Sequence, residues 1–296
     1  MRRFLTSQFF STVLVALFVS VFTAASGQTI NLLDKDLSQW EIYQSYRHKN
    51  NYNGQQPVNA SGELIEPIGY NKNVADVFSV IEENGTVVLQ ISGEIYGCIF
   101  TKQEFENYHL TLKVRWGTSK YEPRLDKLRD SGLLYHSQGE CGVDYWRSWM
   151  LSQEFQIMEG HMGDYWGIAN SAIDVRAFLP EGMMNTVADV SQDFLPIGLG
   201  TGRDGFCLRS ANYESAPGEW TALELICFGD KSMHVVNGHV VMVLQNSRYV
   251  NDGESVPLTK GKIQLQSEAA EVFFKDIELE PLTEIPSGYS VYFEGK

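Results

Sequence analysis

In Leu110-Thr111-Leu112-Lys113-Val114-Arg115-Trp116, every second residue is apolar and the residues between are polar or charged. Side chains alternate faces along a β-strand, so this run suits a sheet with one face in a core and the other facing out. Leu110, Leu112, Val114 and Trp116 then form the core face, and Lys113 and Arg115 point away. Strand signals recur at residues 86–91, 222–228, 233–243, 263–266 and 272–279. Asn237-Gly238 divides one of them, and both residue types accept the positive φ that a two-residue hairpin turn requires. Amphipathic helical periods are scarce. Many strands at short spacing without intervening helices predict an all-β sandwich of antiparallel sheets.

Two segments interrupt this rhythm. Residues 43–73 are rich in Asn, Tyr, Gln and Gly and are predicted to form long loops over one end of the sandwich. Residues 174–217 show little alternation and are predicted to be a large insertion between strands. Neither an internal repeat nor a dividing linker is present, so residues 28–296 are expected to form one domain. Ahead of it, Arg2 and Arg3, an apolar run from Val13 to Phe22 and the small residues Thr23-Ala24-Ala25-Ser26-Gly27 have the order of a removable export signal, residues 1–27. The run is shorter than the roughly 20 apolar residues of a membrane span. The expectation is a periplasmic or secreted protein without stable membrane insertion.

The formal charge of −14 becomes −16 once Arg2 and Arg3 leave. No basic patch offsets it, which argues against a nucleic-acid partner. Cys98, Cys141, Cys207 and Cys227 include no C-x-x-C pair, which disfavours a thiolate zinc site. Three disulfide pairings are compatible with four cysteines, and Cys98 and Cys227 also suit buried free thiols. The sequence is silent on oligomeric state.

Residues 123–166 gather carboxylates, a histidine and several Trp and Tyr rings beside short strand-like runs. Acids and imidazole move protons, and aromatic faces stack on sugars, so a small carbohydrate is the expected substrate. In Glu154-Phe155-Gln156-Ile157, Phe155 and Ile157 belong to the core, which turns Glu154 and Gln156 together to the other face. Ile263 and Leu265 do the same for Gln264, Gln266 and Glu268. His136 travels in phase with Leu134. Glu154 is the first candidate for acid–base work, with Glu268 and His136 as partners. Gln156, Gln266, Lys275, Asp130, Arg115 and Asp164 are candidates for binding hydroxyls or a developing anion, and Trp146 and Trp166 for stacking. Asp164 and His161 share a Gly-containing loop, where an Asp commonly holds a turn, and His234 reads as a structural hairpin histidine. Nucleophile-elbow, phosphate-loop and dinucleotide motifs are missing from the sequence. No compact metal-ligand spacing occurs and no cofactor is assigned; a loop-bound divalent cation such as calcium is compatible with the sequence.

Leu32-Leu33-Asp34-Lys35-Asp36-Leu37-Ser38-Gln39-Trp40, Asp130-Ser131-Gly132-Leu133-Leu134-Tyr135-His136, Gln153-Glu154-Phe155-Gln156-Ile157, His234-Val235-Val236-Asn237-Gly238 and Gly261-Lys262-Ile263-Gln264-Leu265-Gln266 occur in this order along the chain. Together with Val272-Phe273-Phe274-Lys275-Asp276-Ile277, the set resembles the 3-keto-disaccharide hydrolase domain family. The resemblance implies a concanavalin A-like jelly roll with carbohydrate chemistry on its concave sheet. It also implies a glycoside already oxidised at carbon 3. The ketone acidifies the carbon-2 hydrogen; a base removes it, the enolate expels the aglycone from carbon 1, and water adds to the enone. His136, Glu268-Ala269 and Lys275-Asp276 stand where many members carry other charges. A non-catalytic, lectin-like sugar-binding module and an ordinary two-carboxylate glycosidase are the alternatives.

Overall fold

The computed structural model describes residues 27–294, so the export signal expected at 1–27 lies outside the described residues except for Gly27. Two layers of antiparallel strands form a jelly-roll sandwich. In spatial order the first layer holds Phe78–Glu83, Thr86–Ile91, Ala270–Pro281, Tyr108–Lys120, Thr221–Phe228, Lys231–Val236, His239–Asn251, Ser171–Phe178 and Phe194–Gly198. The second holds Gly69–Tyr70, Trp40–Gln44, Gly97–Thr101, Lys262–Ser267, Asp130–Gln138, Leu151–Met158, Tyr165–Ile168, Phe206–Leu208 and Thr186–Ala188. The pair Thr186–Ala188 and Phe206–Leu208 runs parallel. No helix among the described residues is long and apolar enough to cross a membrane.

Period-two alternation places the core. Leu110, Leu112, Val114, Leu223, Leu225, Val272 and Phe274 of the first layer meet Leu133, Tyr135, Phe155, Ile157, Ile263 and Leu265 of the second. Each such side chain contributes roughly 1.5–3 kcal/mol when taken out of water. At the hairpin after Lys231–Val236, Asn237 and Gly238 adopt φ of 47° and 76°, as a two-residue turn demands.

The opposite face of the second layer is not left to solvent. Cys98, Phe100 and Leu134, one residue out of phase with the core residues Ile99 and Leu133, pack with Tyr43, Tyr96, Trp149, Met150 and Ile168 into a second apolar cluster. Residues 45–68 carry no strand apart from an isolated bridge between Val58 and Leu64. With residues 139–150 they bring His48, Tyr52, Tyr96, Trp146 and Tyr145 into one network of ring contacts. Part of this sheet face is thereby capped, and beside the cap it opens as a cavity.

Residues 174–217 differ from the loop insertion expected for them. They contain strand from the Ser171–Phe178 run together with Thr186–Ala188, Phe194–Gly198 and Phe206–Leu208. Ser171–Phe178 pairs with strands of both layers. Ala172, Ile173, Val175, Arg176 and Ala177 are all buried, so its two faces are covered and the alternation signal is erased.

Three imidazoles are buried in this framework, and burial pushes them below their ordinary 6.5: His48 to about 4, His136 to about 4 and His234 to about 3. Each is neutral when folded but takes up a proton near 6.5 when unfolded. The unfolded state therefore binds more protons below that value, and stability falls as pH drops from about 6.5 toward 4. Thermal melts of His234→Gln are expected to lose part of this acid sensitivity relative to the unsubstituted protein, where the variant folds. His234 stacks on Phe155 at 4.2 Å and its Nδ1 donates to the Gly163 carbonyl at 3.2 Å, which is the structural role read for it in the sequence.

Candidate functional site

The uncapped part of the second layer holds a cavity of about 660 Å³, an ordinary size for a small-ligand site. Leu151–Met158 supplies Glu154 and Gln156 to its floor; their neighbours Phe155 and Ile157 lie in the core. On the adjoining strand, Trp166 is registered with Glu154, while the Asp164 carbonyl accepts the Gln156 N–H at 3.0 Å. On the other side, Gly132 is registered with Gln156, and Asp130 forms a bridge with Glu268. Gln266 completes the floor. Tyr145, Trp146, Trp149, Phe206 and the half-exposed Trp166 form aromatic walls.

Gly132 explains how two long polar side chains can share this floor. A Cβ there would overlap Glu154 Oε1 and sit 2.5 Å from Gln266 Oε1. The bare backbone lets both groups lie across the strand. The Gln266 side chain is fully buried, and neither polar atom of its amide finds a protein partner. A buried amide in that state, facing a cavity, is completed by water or by a polar ligand.

Charge in the cavity is organised by Arg124. Its Nη2 bonds to both Asp130 Oδ2 and Glu268 Oε1, and Gln156 Nε2 donates to Asp130 Oδ1 at 2.8 Å. Burial pushes the carboxyls of Asp130, Glu154 and Glu268 above their ordinary range. For Asp130 the Glu268 charge adds to that push while the bonded guanidinium opposes it, and for Glu268 the guanidinium opposes it. For Glu154 the charges of Glu268 and Asp130 add to it, and Arg124 acts only at a distance. Among the three, Glu154 is the carboxyl whose proton affinity is raised with no guanidinium bonded to it. Asp144, raised by burial to about 6, accepts the backbone N–H groups of Trp146, Ser148 and Trp149 and so folds the wall carrying Trp146.

Replacing Arg124 by Met leaves two adjacent buried carboxyls without a counter-charge. Losing one partner of a buried ion pair costs about 3–5 kcal/mol. The loss in denaturant melts at pH 8 is expected to shrink at pH 4, where protonation relieves the two acids.

The cavity brings together Glu154, Glu268, Gln156, Gln266, Asp130, Trp146, Asp164 and Trp166 from the sequence candidates, and it leaves out three. His136 has φ of 54° at a register shift between Tyr135 and Gln138, and its ring contacts those of Tyr108 and Tyr135 in the buried interior. The bulge breaks the phase shared with Leu134. Lys275 and Arg115 belong to the first layer. Lys275 Nζ lies 4.3 Å from the Trp220 ring centroid, while Arg115 stacks on the same ring and pairs with Glu83 at 2.7 Å. Arg124, Asp144 and His161, by contrast, line the cavity without having been candidates. All three sit in loops, where periodicity is silent. Among the described residues no group of three or more His, Cys, Asp or Glu side chains is gathered to hold a metal, and all four cysteines are free.

Residues 28–280 match the model of the 3-keto-alpha-glucoside-1,2-lyase-like domain. The chain belongs to this family. It carries a carbohydrate-active, glycosyl hydrolase-like domain, the coarse activity expected from its rings and acids. Among solved structures, it is similar to a candidate glycosyl hydrolase from Parabacteroides distasonis ATCC 8503. Identity is 19%, coverage is 86% of this chain and 100% of that one, and the TM-score is 0.45. A second from the same organism matches at 17% identity, covering 86% and 94%, with a TM-score of 0.44. The carbohydrate binding module CBM66 from Bacillus subtilis matches at 9%, covering 69% and 91%, with a TM-score of 0.38. No curated protein matches the chain.

Proposed function

We propose that this protein is an exported enzyme that cleaves the glycosidic bond of a 3-keto-glycoside by elimination and hydration. The observation that carries the reading is a buried Glu154, its proton affinity raised by burial and by neighbouring acids, beside the unpartnered Gln266 amide on the floor of an aromatic-walled, ligand-sized cavity. An acid of that kind can deliver its proton to the leaving oxygen. An ordinary glycosidase also needs an ionised carboxylate facing carbon 1, where positive charge develops. Here Asp130 and Glu268 are both committed to Arg124, which disfavours that route. Elimination develops negative charge on the carbon-3 oxygen instead, and the Gln266 N–H and the Arg124 guanidinium are donors suited to it. The description of the family, a 3-keto-alpha-glucoside-1,2-lyase-like domain, supports the same substrate class. The basic start and apolar run of residues 1–27 support export.

In the proposed sequence a base removes the carbon-2 hydrogen, and the electron pair flows to the carbon-3 oxygen. The bond from carbon 1 to the glycosidic oxygen then breaks, and Glu154 protonates the departing oxygen. The Glu154 carboxylate left behind takes a proton from the water that adds to carbon 1, and carbon 2 is reprotonated. Incubation with paired methyl glucosides in deuterated water tests this. The 3-keto compound is expected to release methanol and yield a sugar carrying deuterium at carbon 2, while the plain glucoside stays intact. Rapid cleavage of the plain glucoside with no deuterium at carbon 2 rejects elimination, and binding without product from either compound makes the protein a lectin.

A further inference from the structure

We propose that His161, oriented by Asp164, is the catalytic base that removes the carbon-2 hydrogen and later returns a proton to that carbon. The proposal rests on the elimination reading above, which needs a base distinct from the acid. Glu154, its proton affinity raised by burial, is the acid in that reading and cannot also be the base at the start of the cycle. Asp130 and Glu268 are bonded to Arg124.

The loop after Leu151–Met158 is built around Asp164, whose side chain is only 2% exposed. Its Oδ1 accepts the Arg209 backbone N–H and the Arg209 Nη1–H, each at 2.9 Å. That saturates one oxygen and leaves Oδ2 facing His161 Nδ1 at 3.1 Å. A turn-holding carboxylate has no need of this second arrangement. Arg209 Nη1 also lies 3.2 Å from Nδ1; of its two N–H groups one goes to Oδ1, and the other competes with Asp164 Oδ2 for Nδ1. If Nδ1 carried a lone pair, that pair would confront a carboxylate oxygen at 3.1 Å. A proton on Nδ1 converts the repulsion into a charge-assisted hydrogen bond. With Nδ1–H given to the Asp164 carboxylate, the lone pair lies on Nε2, the arrangement an imidazole base needs.

The loop is held from outside the site as well. The Gly163 carbonyl accepts from the core residue His234 at 3.2 Å, the Gly160 N–H donates to Glu214 at 2.6 Å, and Arg209 Nη2 bonds to the Gly160 carbonyl. His161 nevertheless keeps 39% of its side chain accessible, and it lines the same cavity as Glu154 and Gln266. An accessible imidazole with one nitrogen locked onto a buried carboxylate is a costly device for a surface loop and a useful one for proton transfer.

The test follows methyl 3-keto-glucoside by NMR in deuterated water with the unsubstituted enzyme, Glu154→Gln and His161→Asn. Glu154→Gln is expected to exchange the carbon-2 hydrogen while releasing methanol about 10²-fold more slowly or worse. His161→Asn is expected to lose both exchange and release by about 10²–10⁴-fold, with melting temperature and substrate affinity nearly unchanged. Added imidazole should restore exchange to His161→Ala, and Asp164→Asn should lower kcat far more than it raises KM, because the amide permits the wrong tautomer. A folded His161→Asn or His161→Ala that exchanges carbon 2 within about threefold of the unsubstituted enzyme, far inside the loss a base accounts for, overturns the assignment. Product without deuterium at carbon 2 in the unsubstituted enzyme overturns the elimination reading itself, and the two failures are told apart because they arise in different proteins.

Discussion

Glu154→Gln is expected to lower the turnover of a 3-keto-glucoside by about 10²–10⁴-fold and, at the same time, to stabilise the folded protein at neutral and alkaline pH. Both effects have one cause. Burial, reinforced by the charges of Glu268 and Asp130, raises the proton affinity of Glu154 in the folded state above its ordinary 4.5. The unfolded chain releases that proton near 4.5. The folded state therefore binds more protons above that pH, and stability declines as pH rises through the window between the two values. Gln carries no such burden. The gain in melting temperature should be negligible at pH 4, where both states of Glu154 are protonated, and should grow toward pH 8. Each 1 kcal/mol corresponds to roughly 2–4 °C for a chain of this size. Steady-state kinetics and melts at pH 4, 6 and 8 check both parts. Unchanged turnover would remove Glu154 from the chemistry, and a gain independent of pH would mean that proton binding is not its source.

Gly132→Ala is expected to abolish most activity with little loss of stability. The new methyl group would overlap Glu154 Oε1 and approach Gln266 Oε1 to 2.5 Å, and both obstacles are the ends of flexible side chains rather than backbone. Gly132 does not adopt a positive φ, so Ala fits the strand conformation. The strand survives, but the proton donor and the amide move. A misplacement of about 1 Å costs on the order of 10² in rate, and two groups move here, so kcat/KM should fall by at least about 10²-fold. Circular dichroism, melting temperature and kinetics on the same preparation decide it. A variant as active as the unsubstituted enzyme would mean that the floor adjusts freely and that Gly132 is not there to seat the pair.

Legibility in the sequence followed locality. Phe155 and Ile157 inward, with Glu154 and Gln156 outward, could be read from four consecutive residues, because successive strand side chains face opposite ways whatever they pack against. Asn237-Gly238 announced its hairpin through the φ values that its residue types tolerate. His136 was misplaced for the same reason that Glu154 was placed: the rule assumes an unbroken pleat, and a bulge after Tyr135 shifts every later side chain. Ser171–Phe178 is not legible as a strand because a strand covered on both faces has no alternation to read. Lys275 and Arg115 had suitable charges but lie on the other sheet, and a strand pattern does not say which layer a strand joins.

From the sequence alone came the all-β class, the inward and outward faces of the principal strands, and the polar strip from which the cavity floor is made. These depend on residues within a few positions of one another. The tertiary structure alone decided which carboxyl is buried without a bonded counter-charge, which ones are bonded to a guanidinium, and which histidine faces the cavity. Arg124 reaches Glu268 across 144 positions of chain, and Arg209 reaches Asp164 across 45. Proton affinity depends on the charges, burial and hydrogen bonds gathered around a group in space, and no local pattern encodes that gathering.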